Sequence, residues 1–188
     1  MLELLRHGDT GRSGFRGSSD DPLSARGWAQ MEQATQEVRW QAVVSSSLRR
    51  CADFAGAFAT RHRLPLTIDP RWAELDFGDW EGRDAAGLLL TEPEALERFW
   101  SDPWENPPPA GEAMQAFELR VLAALRDACA RAQADRVLVI THAGVIRLLL
   151  CLHRGSPRSG LLSLPVAHAS IHALPGAASL VPMARPES

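Results

Sequence analysis

Val137-Leu138-Val139-Ile140-Thr141 runs directly into His142-Ala143-Gly144 and then into a strongly apolar stretch ending near Leu152. Consecutive apolar residues without polar alternation, β-branched at 137, 139, 140 and 141, read as a strand covered on both faces, which is the signature of a central parallel strand. Gly144–Leu152 reads as the helix that follows it. Upstream, Glu112 to Ala134 carries a stripe of Met114, Phe117, Val121, Leu125 and Cys129 at helical spacing. Toward the N-terminus the same alternation repeats. Leu2–Arg6 reads as a strand, and Ser24 caps a helix marked by Trp28, Met31, Thr35 and Val38. Ala42–Ser45 is a second strand. Ser47 is the expected cap of a helix carrying Cys51, Phe54, Ala55, Phe58 and His62, and Leu66–Ile68 is a weaker third strand. Asp84–Ser101 suggests two short helices broken near Pro93, and Ala169–Leu174 a last strand. Strands alternating with helices imply an α/β fold, a three-layer sandwich with a mostly parallel central sheet and helices on both faces.

The 188 residues suit one domain. We expect it to occupy 1–175, with a lid-like insertion at about 72–111 that ends in the Pro-rich stretch 102–111, and a loose tail at 176–188. Hydrophobic residues make up 45% and charged residues 23%, which excludes a disordered chain. No apolar run approaches the roughly 20 residues of a membrane span. A net charge of −3 argues against a general nucleic-acid binder. The basic residues, 20 in all, are Arg without exception, so Schiff-base chemistry and a P-loop Lys are excluded. Three widely spaced cysteines, Cys51, Cys129 and Cys151, make neither a disulfide framework nor a zinc site. The opening Met1-Leu2-Glu3-Leu4-Leu5-Arg6 is charged too early for a signal peptide, so a cytoplasmic location is expected.

In open parallel sheets the ligand crevice lies beyond the carboxyl ends of the strands. Those ends here are Arg6-His7-Gly8, Ser45-Ser46-Ser47-Leu48-Arg49 and Thr141-His142-Ala143-Gly144. Two His and two Arg at one rim, beside two helix N-termini, fit an anion, and phosphate best of all. A neutral imidazole can attack phosphorus and form a covalent phosphohistidine. A structural role for either His, or a metal site, remains open on the residues alone, although no third ligand stands at a recognised spacing. His62, His153, His168 and His172 read as surface, loop or strand residues.

Leu5-Arg6-His7-Gly8-Asp9-Thr10 resembles the LxRHGxT signature of the histidine phosphatase (phosphoglycerate-mutase-like) superfamily. Ser45-Ser46-Ser47-Leu48-Arg49-Arg50-Cys51 resembles its SSxLxRAxxT segment, Glu74-Leu75-Asp76-Phe77-Gly78-Asp79-Trp80-Glu81-Gly82 its ExxFGxWEG segment, and Val139–Arg147 its second-histidine motif. The resemblance implies a phosphomonoester hydrolase without metal or other cofactor, acting on a small-molecule phosphomonoester. It makes His7 the nucleophile, Glu74 the general acid, and Arg6, Arg49 and His142 the phosphate pocket. Thr10 and Ser13 follow as further phosphate contacts, and Phe77, Trp80 and Glu112 as substrate contacts. Ser13 stands where the family usually has Asn, and Gly111-Glu112-Ala113 where it has Gly-Glu-Ser. The long insertions of cofactor-dependent mutases are missing, which points to hydrolysis. The stretches Gly11–Leu23, Asp76–Arg83 and Arg98–Pro103 look like those of the α-ribazole phosphatases, which act on α-ribazole 5′-phosphate or cobalamin 5′-phosphate; the alternatives are a phosphatase of another small phosphomonoester or of a phosphoprotein, and a non-catalytic interaction domain on the same scaffold. Rings at Phe77, Trp80, Trp100 and Trp104 would let the insertion present a flat face to such a ligand.

Overall fold

A computed structural model describes residues 1–37, 39–132 and 136–181. Its sheet contains β1 (Leu2–Arg6), β2 (Ala42–Ser45), β3 (Leu66–Ile68), β4 (Val137–Thr141) and β5 (Ile171–Ala173) in the order β3-β2-β4-β1-β5. β1 to β4 are mutually parallel where they pair, and β5 runs antiparallel to β1 at the edge. The apolar run at 137–141 is thereby explained. Val137 and Val139 belong to the core on one face of the sheet, Leu138 and Ile140 to the core on the other. β1 does the same with Leu4 and Leu5.

Among the described residues six helices complete the three layers: α1 (Ala25–Ala34), α2 (Arg49–His62), α3 (Ala85–Thr91), α4 (Pro93–Ser101), α5 (Met114–Arg131) and α6 (Ala143–Arg154). Met31 of α1 and Phe54 and Phe58 of α2 bury one face of the sheet. Val121 and Leu125 of α5 and Ile146 and Leu149 of α6 bury the other. Ser24 caps α1 as expected, its Oγ accepting the Gly27 N–H at 3.0 Å. Ser47 does not cap α2. The cap residue is Leu48, and the free Arg49 N–H is taken by Oδ1 of Asp20 at 2.7 Å, from a loop distant in sequence. The long helix starts at Met114 rather than Glu112. Ala134 and Val38, expected at helix ends, lie outside the described residues. The 84–101 stretch does divide at Pro93. Of the expected tail, Ala177–Leu180 forms a 3₁₀ turn with Ala177 buried, and residues 182–188 lie outside the described part.

Register positions the site. Arg6 lies opposite Thr141, and Ser45 opposite Ile140, so the next residues in each strand, His7, His142 and Ser46, emerge at one rim. Two close approaches keep the rim tight. A Cβ on Gly8 would sit 2.3 Å from the Gly27 carbonyl oxygen of α1, and one on Gly27 would sit 2.0 Å from the Asp9 carbonyl oxygen. The loop at 14–19 crosses above and joins the insertion: Phe15 N–H donates to Arg83 O, and Gly82 N–H to Phe15 O, both at 2.8 Å. The Glu81 carboxylate accepts the backbone N–H groups of Gly17, Ser18 and Ser19 from the same loop.

Candidate active site

At this rim lies a cavity of about 370 Å³. It is lined by Arg6, His7, Thr10, Arg50, Glu74 and Phe77, joined by Arg12, Arg16, Arg147 and His168 and by a ring of apolar side chains. Another cavity, of about 450 Å³ between β3 and α5, contains none of the residues read as catalytic.

His7 is 8% exposed and His142 fully buried, with ring centroids 5.2 Å apart. His7 Nδ1 lies 2.7 Å from its neighbour's carbonyl, Gly8 O. A carbonyl only accepts, so Nδ1 carries the proton and Nε2 keeps its lone pair. Burial above all, and then the Arg50 charge, hold the His7 pKa well below its usual value, so the imidazole is neutral near pH 7. His142 has the opposite tautomer. Arg50 Nε donates to His142 Nδ1 at 3.2 Å, leaving the proton on Nε2, 2.8 Å from Ser46 Oγ. Burial and Arg50 lower its pKa strongly as well.

The cations converge on the same space. Arg50 is a fully buried charge whose guanidinium is held by the carbonyls of Arg16, Gly17 and Ser19. Arg6 donates to Val166 O at 2.6 Å and to His168 Nε2 at 2.9 Å, while its Nε is buried with no partner among the described residues. Burial lowers the Arg6 pKa, Arg147 and Arg50 add to the effect, and Glu74 opposes it. Buried guanidinium groups without a carboxylate partner are costly unless an anion completes them. Among the described residues the one carboxylate lining the cavity is that of Glu74. Its Oε2 accepts the Gly144 N–H at the start of α6 at 2.9 Å, and its Oε1 the Leu75 N–H at 3.1 Å. A Cβ on Gly144 would fall 2.2 Å from Glu74 Oε1, so glycine makes this approach possible.

Several expectations change. Arg49 is outside the cavity, its side chain 55% exposed and paired with Asp53 at 3.4 Å; Arg50 takes the place assigned to it. The sequence held the signal, because counting Ser-Ser-x-Leu-x-Arg from Ser45 ends at 50. Ser13 is exposed and does not line the cavity, whereas Thr10 does. Trp80 is fully buried, donating Nε1–H to Glu92, and Trp104 donates to Glu118; neither lines the cavity. Phe77 and Trp100 do. Glu112 is also outside, paired with Arg120 at 2.6 Å. His168 was missed. It sits in the loop before β5, its ring 5.7 Å from that of His7, and no local spacing marked it. Among the described residues no cluster of three or more His, Cys, Asp or Glu is arranged to hold a metal ion.

A site of this construction is that of a histidine-based phosphoryl-transfer enzyme. Residues 2–178 match the histidine phosphatase superfamily (branch 1), and the chain belongs to that family. It is similar to the adenosylcobalamin/α-ribazole phosphatase of Escherichia coli, 30% identical over 85% of this chain and 82% of the relative. It is also similar to a probable phosphoglycerate mutase of Proteus mirabilis, 33% identical over 91% and 82%. The crystal structure of the α-ribazole phosphatase from Shigella flexneri superimposes with a TM-score of 0.75 at 29% identity, covering 90% of this chain and 87% of that one.

Proposed function

We propose that the protein hydrolyses a small phosphomonoester through a phosphohistidine on His7, with α-ribazole 5′-phosphate or cobalamin 5′-phosphate as its substrate. The observation that carries the chemistry is the His7 Nδ1–H bond to Gly8 O, which leaves Nε2 unprotonated in a cavity lined by Arg6 and Arg50. In the first step the Nε2 lone pair forms the N–P bond as the bond from phosphorus to the ester oxygen breaks. The two guanidinium groups take up the charge on the other oxygens, and His142, outside the cavity lining with its ring nitrogens on Arg50 and Ser46, holds Arg50 in place. Glu74, as the carboxylic acid, gives its proton to the leaving oxygen. In the second step water attacks phosphorus, Glu74 takes its proton, and the P–N bond breaks to release phosphate and restore His7.

Two considerations support the substrate. Phe15, Phe77, Phe99 and Trp100 line the cavity, and a benzimidazole offers them a flat apolar face, worth roughly 0.5–1.5 kcal/mol per ring pair beyond buried area. Two of the similar proteins carry that activity in their names. Quenching turnover with ³²P-labelled substrate should trap label on His7 as an acid-labile, alkali-stable phosphoramidate, and His7→Ala should trap none. Label on another residue defeats the mechanism. Separately, kcat/KM for α-ribazole 5′-phosphate should exceed that for ribose 5-phosphate by at least about tenfold, or about 1.4 kcal/mol. Equal values leave the chemistry standing and remove the substrate.

A further inference from the structure

Glu74 lies in a stretch with little regular structure to hold it. The 3₁₀ turn Pro70–Trp72 ends just before it, the next, Gly78–Trp80, begins after it, and residues 73–77 join no strand of the sheet. Backbone of that kind needs other partners for its carbonyls. Two of them, and that of Arg71 just before, are taken by one side chain. Arg120 of α5 donates NH1 to Arg71 O at 2.9 Å and to Ala73 O at 2.7 Å, and NH2 to Glu74 O at 2.9 Å. Its remaining N–H groups go to Glu112: Nε to Oε1 at 2.6 Å and NH2 to Oε2 at 2.7 Å. The five donors of a guanidinium are thereby all used. Glu112 adds a second tie, since its own N–H donates to Asp76 O at 2.9 Å. Arg120 and Glu112 thus bracket the backbone from 71 to 76. Neither lines the cavity that contains His7.

The other end of Glu74 rests against the start of α6. Its carboxylate is bonded to Gly144 N–H, at a place where even a methyl group on Gly144 would collide with it. A shift of the Glu74 backbone strains this bond and changes where the carboxyl group sits relative to His7. Misplacement by about 1 Å can cost about 10²-fold in rate.

We infer that Arg120, braced by Glu112, is a positioning residue for proton transfer by Glu74, acting from outside the cavity through three carbonyl oxygens. The inference rests on the reading of Glu74 as the acid for the leaving group. A Lys at 120 keeps the charge but has three donors from a single nitrogen, so it cannot hold three carbonyls and a bidentate carboxylate together.

The test compares an alkyl phosphate, whose leaving oxygen needs a proton, with nitrophenyl phosphate, whose leaving group needs little help. Glu74→Gln should slow the alkyl ester selectively, by about 10²-fold or more. Arg120→Lys should lower kcat for the alkyl ester by about tenfold or more, and for the nitrophenyl ester by less than about threefold, with KM nearly constant for both. Glu112→Gln should repeat the pattern more weakly, and serves where Arg120→Lys does not fold. In a Glu74→Gln background, Arg120→Lys should add less than about twofold on the alkyl ester, because the group it positions is gone. Equal losses on the two esters, no loss on either, or a full further loss in that background overturns the inference. Absence of leaving-group selectivity in Glu74→Gln itself overturns the acid role first, and is recognised by that single variant.

Discussion

Arg49 and Arg50 are adjacent in sequence and about 100° apart around α2. That rotation separates their environments. Position 49 shares a face with Asp53, four residues on and solvent-exposed, while position 50 shares one with Phe54, which is buried. The helical period was present in the sequence, but the pull of a charged residue toward solvent hid which arginine turned inward, because burial of Arg is rare unless something pairs it. Here three loop carbonyls and His142 hold it. Arg50→Ala should therefore lower kcat/KM by about 10²-fold or more, and Arg49→Ala should change it by less than about twofold. Steady-state kinetics of the two variants decide the matter, and a larger loss at 49 would restore the original reading. His142 gives a second expectation at this scale. In the folded chain its pKa is pushed well down, by burial first, then by Arg50, His7, Arg120 and Arg6. The unfolded chain protonates the same imidazole at about 6.5. Below that pH the unfolded state binds the extra proton, so stability is lost as pH falls from about 6.5 toward the lowered folded value. His142→Gln removes the titration. Its Tm should fall less steeply than that of the parent between about pH 7 and pH 5, and parallel Tm profiles would show that His142 does not contribute.

At the scale of elements, the parts that repeat a period were legible and the parts that depend on remote partners were not. β4 was recognised because burial on both faces leaves a run of apolar residues, and α1 because its cap is local. The start of α2 was misplaced because its N-terminal donor is taken by Asp20, a partner no local pattern marks. The insertion shows the same division. Its two helices followed from Pro93, yet the sequence offered Trp80, Trp100 and Trp104 as equals. Trp80 and Trp104 each find a carboxylate for the indole N–H and close a core, whereas Trp100, at the end of α4, stays 40% exposed beside the cavity. If α4 works as a lid over the substrate, Trp100→Ala should raise KM for α-ribazole 5′-phosphate by about three- to tenfold, equivalent to losing one ring contact of roughly 0.5–1.5 kcal/mol, and leave ribose 5-phosphate nearly unaffected. A matching rise for both substrates would place Trp100 in the stability of α4 and not in recognition.

For the molecule as a whole, charge is distributed against the average. The chain carries a net −3, yet among the described residues its cavity is lined by five arginines and one carboxylate. Part of that positive charge is already compensated, since Arg16 is paired with Asp21. Among the described residues the Arg12 side chain has no partner, and the Arg147 side chain donates only to the Leu164 carbonyl. At distance a phosphate dianion meets a weakly repulsive molecule. Within the Debye length, about 10 Å at 0.1 M salt, it meets the arginines instead. Attraction of this kind acts on capture more than on the bound complex, where Arg6 and Arg50 are desolvated and screened least. Raising NaCl from about 0.02 to 0.5 M should therefore increase KM several-fold while kcat changes by less than about twofold. Arg12→Ala should flatten that dependence, because it removes an exposed cation at the mouth, and should leave kcat at saturation within about twofold of the parent. Stopped-flow or steady-state assays at a series of salt concentrations measure both. A KM indifferent to salt, or one equally sensitive without Arg12, would mean that the outer arginines do not steer the substrate and that capture is governed by the inner pair alone.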